Sequence, residues 1–447
     1  MTTRLCRVSM AFSAPLQGIS TVIETQLASR GLVLRALGHQ QTDRVPLDFG
    51  GTTVTGMHVS CVAALREHLG LAKKPVRVID VFQMLGEIEE DLQRILGVDT
   101  EAVRGRKTKF GFPNEGWKSW RMYDGLEVLV PAGFNVTVDQ DGSTLLHPLG
   151  DVSLPPSARM PNGGYFFDAI IRQDPIDEDR LNPADNLEEF KPVSEEDLAY
   201  YEREARRAAA TGRAVVASFG GTSLGDVSQI PGFGLKHPKG VRDTAEWYMS
   251  TVARRDYVHA VFAGQCDVAL ANLARIAARA GDLVDVVNVC GTDFGTQDSS
   301  FCSVSTLREL WMPYYRRVNE WIHKNTRWKT FKHSCGAVEK FLPSFIESGF
   351  DILNPVQCSA AGMDPETLKQ KYGRDLVFWG GGVDTQHVLP FGTPQQVHEQ
   401  VLRRCEIFAK DGGFVFNTIH NIQARTPLAQ IVALINAVRE FNGLQAI

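Results

Sequence analysis

The sequence predicts an α/β protein built as a (β/α)8 TIM-like barrel with an inserted β-hairpin-rich subdomain. Three observations carry that expectation. Short apolar, β-prone runs alternate with helical patterns through the second half of the chain. Glycines close many of those runs, as in Phe219-Gly220-Gly221, Cys335-Gly336 and Gly380-Gly381-Gly382. Polar and titratable residues then follow at the same end of each unit. Strand, loop and helix repeated in this order mean a parallel sheet. An open doubly wound sheet is the alternative, although no GxGxxG or GxxxxGK[ST] follows any strand.

Residues 1–26 hold Arg4 and Arg7 and no acid before Glu24, and are expected to form a flexible arm, leaving the barrel domain over 27–447. Ser29 to His39 carries Leu32, Val33, Leu34, Ala36 and Leu37 behind an N-cap serine, so an opening helix is predicted. Val45–Phe49 is the first strand, and helical patterns follow at about 58–70 and 81–96. A strand near Thr100–Val103 comes next. Between 112 and 168 the texture changes: Asp124-Gly125, Asp141-Gly142 and Gly163-Gly164 punctuate short β-prone pieces, which reads as an insertion of antiparallel hairpins. From there the strands 214–219, 284–289, 328–333, 351–356, 376–379 and 413–417 alternate with helices, the last over about 427–442.

Composition chiefly excludes. The 447 residues are 43% hydrophobic and 22% charged, with 47 basic against 52 acidic side chains and a net charge of −5. A disordered chain is excluded, and there is no basic stripe for nucleic acid. No apolar run reaches the roughly 18 residues a membrane span needs. Eight cysteines with no CxxC spacing read as reduced thiols in a cytoplasmic protein.

In a barrel the strand C-termini line the active site. Those ends offer Asp48, Asp293, His333, Cys335, Asn354, Gln357, Asp384, Asn417 and His420. His333-x-Cys335 is the sharpest element, because side chains two apart on a strand share a face and imidazole and thiolate are the usual ligands of zinc. His420, at the end of the last strand, is the expected third ligand. Asp48, Asp293 and Asp384 are the candidate catalytic carboxylates, for orienting a bound group or supplying a fourth ligand. Asn354, Gln357 and Asn417 are the candidate substrate-binding residues.

Two segments carry a family resemblance. Asn417-Thr-Ile-His420-Asn-Ile-Gln-Ala-Arg-Thr426-Pro427 is similar to the NLGHG-x-x-x-x-TP stretch of uroporphyrinogen decarboxylases, with His420 on the family histidine. His333-Ser-Cys335-Gly336 resembles the zinc-binding His-x-Cys of the corrinoid-dependent methyltransferases in the same superfamily. The resemblance runs from about Ser29 to Asn442 and is strongest from Cys290 onward, and Gly-Thr-Asp293-Phe-Gly-Thr-Gln297 and Pro-Phe-Gly-Thr-Pro394 also fit the methyltransferase branch. Two departures stand out. Gly51 and Thr55 occupy the positions of the decarboxylases' substrate-holding arginines, counted without gaps from Pro46. His420 stands where the methyltransferases carry a late cysteine, which leaves the site one negative charge poorer.

The resemblance implies a zinc-dependent methyltransferase that moves a methyl group between a corrinoid on a partner protein and a small thiol, pterin, methoxy or methylamine compound. No Asp-x-His-x-x-Gly corrinoid motif occurs in the chain, so the methylcobamide would arrive on another protein. The insertion would cover the barrel mouth or dock that partner, and a homodimer is a further expectation. Two alternatives stay open: a decarboxylase working through His420 and Asp48 on a smaller substrate, and a barrel that binds a tetrapyrrole, corrinoid or pterin without chemistry.

Overall fold

The computed structural model describes residues 29–447; the expected arm lies outside the described residues. Seven strands form one parallel sheet: β1 Thr100–Val103, β2 Ala214–Ala217, β3 Val286–Cys290, β4 Lys329–His333, β5 Ile352–Asn354, β6 Val377–Trp379 and β7 Phe414–Val415. Their spatial order is their chain order, with none of the reversal a doubly wound sheet requires. The expected first strand is reduced to one parallel bridge, Leu47 to Phe416, yet it closes the barrel. The Asp48 N–H donates to the Phe416 carbonyl at 2.9 Å and the Phe416 N–H to the Pro46 carbonyl at 2.8 Å. On its other side the Asp99 N–H, just ahead of β1, donates to the Leu47 carbonyl at 2.8 Å. Residues 45–49 are thus the eighth stave.

Period-two alternation sorts the strand residues into two cores. Val216, Val286, Phe331, Ile352, Val377, Trp379 and Val415 point inward and form one cluster. The opening helix, 29–37, adds Val33, Ala36 and Leu37 to it from below. That helix is tied to the N-terminal ends of the strands: Arg30 pairs with Asp285 at 2.8 Å, and the Ser29 hydroxyl donates to Asp99 at 2.7 Å. The outward-facing residues pack against the helices, among them Glu195–Ala210, Arg255–Ala280, Met312–Asn325, Pro394–Phe408 and Leu428–Phe441. Local sequence sets where several begin; Thr393 and Gln396, for instance, form a reciprocal capping box before Pro394–Phe408.

The structure differs from expectation in two further places. The pattern over 81–96 is helical only at Glu90–Leu96, because Leu85–Gly86 pairs antiparallel with Val76–Asp80. Gly86 lies so close to the helix Val59–His68 that a Cβ there would stand 2.9 Å from the Val59 Cα. The hairpin region consists of two four-stranded sheets, and one of them is not purely antiparallel. Val76–Asp80 joins it from ahead of the region and pairs in parallel with Glu127–Val130, beside Lys118–Arg121. The other sheet, Val136–Val138, Thr144–Leu146, Ala158–Met160 and Asp168–Ala169, is antiparallel throughout. An aromatic cluster joins these sheets to the loops after β1 and β2: Phe110 lies 5.3 Å from Phe233 and 6.4 Å from Phe167, ring to ring. That position is the C-terminal face of the barrel. None of the described helices is long and apolar enough to cross a membrane.

Candidate metal centre

β4 ends on His333, and the bend behind it carries Cys335. His420 arrives from the other side of the barrel, on the loop after β7. One ligand atom from each of the three lies within 4.8 Å of the others. The Cys335 Sγ is 3.3 Å from the His333 Nε2, and the two imidazole rings stand edge to face with centroids 5.6 Å apart. His333 is buried, while Cys335 and His420 keep part of their surface open.

The tautomer of His333 follows from its neighbours. The Asn354 amide donates from Nδ2 to the Trp379 carbonyl at 2.8 Å, and a carbonyl can only accept. Asn354 must therefore turn its Oδ1 to His333 Nδ1, 2.6 Å away, so the ring proton sits on Nδ1 and the Nε2 lone pair faces Cys335. Burial pushes His333 down to about 4, helped by Lys332 and opposed by the Asn354 bond. Burial likewise pushes His420 down to about 4, with His333 adding to it. Burial, joined by the Asp293 carboxylate, raises the Cys335 thiol well above its usual value. At neutral pH the site therefore offers two neutral imidazoles and one protonated thiol.

The loop after β3 lies flat against the loop after β4. Gly295 and Gly336 cross backbone to backbone: a Cβ on Gly336, whose φ is +87°, would stand 2.4 Å from the Gly295 carbonyl carbon. This crossing explains the glycine after Cys335. It also brings Asp293 to the site, where its Oδ1 accepts from the Cys335 N–H at 2.7 Å and lies 3.8 Å from the His333 Nε2. Gln357 holds the same bend, accepting from the Gly336 N–H at 2.7 Å and donating to Gln297 at 2.9 Å.

The remaining predicted residues are not gathered here. Asp48 is fully buried inside the barrel and accepts from Thr100 Oγ1 at 2.7 Å, Trp379 Nε1 at 2.8 Å and the Gly51 N–H at 2.8 Å. Burial pushes its carboxyl upward against those bonds. Asn417 is equally buried, its amide donating to the Asp48 carbonyl at 2.6 Å and the Thr55 carbonyl at 3.1 Å. Asp384 accepts from the Gln386 N–H at 2.8 Å and pairs with His387 at 3.1 Å. His387 in turn lines a cleft of about 620 Å³ with Phe391 and Arg403, on the outer helical layer. The side chains of Asp48, Asn354 and Asn417 thus face protein groups.

Two residues missed in the sequence share charge effects with groups at this site. Asp226, buried on the loop after β2, accepts from the Ser228 N–H at 2.9 Å, and its charge reaches both His333 and Cys335. Tyr248, on the helix Thr244–Ala253, has a buried hydroxyl without a partner and feels the charges of Asp293 and Asp226. Asp226 follows a strand as the others do, but lies nine residues beyond Ala217, past the glycine punctuation. Nothing in the pattern around Tyr248 marks it.

Comparison with known proteins agrees with the motifs. Residues 237–441, from the end of the loop after β2 to the last helix, match the family model of uroporphyrinogen decarboxylase (URO-D). That stretch, a little under half of the chain, is similar to the uroporphyrinogen decarboxylase family. Its fold is similar to that of a methyltransferase from Methanosarcina mazei, with a TM-score of 0.53 at 14% identity, covering 92% of this chain and 98% of that one. A weaker likeness to a β-glycosidase, TM-score 0.31 at 13% identity, covers 60% of this chain and 82% of the other and carries no argument. No curated protein matches the chain.

Proposed function

We propose that this protein is a zinc-dependent methyltransferase, moving a methyl group between a corrinoid carried by a partner protein and a small thiol, pterin, methoxy or methylamine compound. One observation carries the reading: His333, Cys335 and His420 turn their ligand atoms toward one point at the barrel mouth. The similarity in fold to the Methanosarcina mazei methyltransferase supports the same branch.

The donor set fits zinc. Three protein ligands of nitrogen and sulfur, with a side left open, are what a catalytic zinc site uses. The hydrogen bond from His333 to Asn354 is the outer support that such histidines carry. Zinc held by these residues supplies Lewis acidity to a substrate heteroatom and, for a thiol, drives loss of its proton. The chain's own residues do the rest. Asn354 keeps the Nε2 lone pair of His333 aimed into the site, and Gln357 fixes the bend that carries Cys335. Asp293 is the carboxylate beside the ligands and takes up the proton that an acceptor releases, at the oxygen that the Cys335 N–H does not hold. Asn354, Gln357 and Asn417 act by positioning other groups. A decarboxylase reading would work through His420 and Asp48, and the two oxygens of Asp48 are already committed to Thr100, Trp379 and Gly51.

Metal analysis of the purified protein tests the reading directly. About one equivalent of zinc, lost in Cys335→Ala, is expected. Anaerobic incubation with methylcob(III)alamin and candidate thiols should then change the cobalamin absorbance. A metal-free protein that is fully active would sink the proposal.

A further inference from the structure

Lys332 lies between Phe331, which fills the barrel interior, and His333. Alternation along β4 turns it outward, away from the mouth, into the layer between sheet and helices. It is fully buried there, and among the described residues no carboxylate pairs with it. A buried basic group is costly unless its protons are matched. Here each finds an acceptor: the Thr292 carbonyl at 2.6 Å, the His333 carbonyl at 2.6 Å and the Cys290 Sγ at 3.4 Å. The Nζ also stands over the rings of Phe294 at 5.0 Å, Phe345 at 5.3 Å and Tyr315 at 5.9 Å.

The two carbonyls explain the arrangement. The β3–β4 ladder runs through a register shift between Asn288 and Cys290, and its last pair is Cys290 with Lys332. Beyond that pair the strands part, which opens the mouth and leaves the Thr292 and His333 carbonyls without ladder partners. Lys332 bonds both. Thr292 immediately precedes Asp293, so one side chain ties the backbone carrying the carboxylate to the backbone carrying the first ligand. We infer that Lys332 is a positioning residue that bridges the parted ends of β3 and β4 and so sets the Asp293 loop against His333 and Cys335. The consequence for metal affinity rests on the zinc reading above; the bridging itself does not.

The test uses two variants. Lys332→Met removes every donor and keeps the chain's bulk; Lys332→Gln keeps two N–H donors for the two carbonyls. Lys332→Met is expected to fold, with a lowered melting temperature because two buried carbonyls lose their donors, to bind zinc at least about tenfold more weakly in chelator competition, and to change the absorption spectrum of the cobalt-substituted protein. Hydrogen exchange in the metal-free protein should quicken in 291–297 and 333–337 and nowhere else. Lys332→Gln should stay within about threefold of the parent affinity, with parent-like exchange in both segments. Parent-like exchange in Lys332→Met overturns the inference, whatever zinc does. A parent that binds no zinc removes the zinc reading, and the exchange result still decides the role of Lys332. If Lys332→Met alone fails to fold, exchange in Lys332→Gln decides, quickening in the two segments being the contrary result. If neither variant folds, Lys332 serves the whole fold and the inference is overturned.

Discussion

Two groups of buried polar residues stand at the C-terminal ends of the strands, and they are built in opposite ways. Around Asp48, every strong donor and acceptor is answered from within the protein: both carboxylate oxygens, the Trp379 indole and the Asn417 amide are satisfied. Around His333, the outer side of the ring is answered by Asn354, while the inner lone pair, the Cys335 sulfur and the His420 ring converge on one point. The first group welds the 45–49 stave to β1, β6 and the segment after β7. The second is held rigidly from behind and left open in front. A polar residue at a strand end is therefore a weak sign of chemistry; metal-ligating atoms from separate segments gathered beside one another there are a stronger one.

That contrast can be broken by substitution. Asp48→Ala leaves the Trp379, Thr100 and Gly51 donors buried without an acceptor, at about 1–3 kcal/mol for each group. Unfolding free energy by denaturant titration should fall by about 3 kcal/mol or more, with the zinc content per folded molecule unchanged. Selective loss of zinc at parent stability would reverse the roles assigned to the two groups. His420→Ala should do the converse: zinc affinity falls by about 100-fold or more, while the metal-free protein keeps its stability to within about 0.5 kcal/mol.

Finer changes sharpen the comparison. Asn354→Leu frees the His333 ring and should weaken zinc by about 10–100-fold, read by chelator competition. The pH dependence of binding follows from the protonation states. Both histidines sit at about 4 and are neutral at pH 7, whereas burial keeps the thiol protonated, so zinc must displace about one proton, from Cys335. Affinity should fall about tenfold for each unit of decreasing pH between 8 and 5, and more steeply near 4, where the imidazoles also take up protons. Calorimetry in buffers of different ionisation enthalpy should count about one proton released at pH 7; a count near two would mean that a histidine is charged in the free protein. The smallest effect belongs to Asp384→Ala, which removes a local turn cap and the pairing with His387: about 1 kcal/mol of stability and no change in zinc.

Much of this molecule was legible in its residues. The alternation of apolar runs and helical patterns determined a parallel barrel, because a strand buried on both faces must be apolar throughout and each crossover needs a helix. The strand near 100–103 and the opening helix follow from the same local rules. His333-x-Cys335 was legible through the period of a strand, and His420 through its similarity to a family motif. The region 81–96 was not, since Leu85–Gly86 turns back to pair with the neighbouring strand Val76–Asp80, a hairpin that helical spacing does not record.

Which strand-end residues face open space and which face protein donors was decided only by tertiary structure. Asp48 and Asp293 occupy similar places in their units, yet one meets an indole and two other donors, and the other meets a backbone N–H beside a thiol. Lys332 makes the point more sharply. In sequence it is an ordinary polar residue on a strand; in the fold it joins two carbonyls that only the parting of β3 and β4 leaves without partners. Periodicity determines the face on which a side chain lies, but its partners come from other strands. That is the physical reason the fold could be read along the chain and the roles of its polar residues could not.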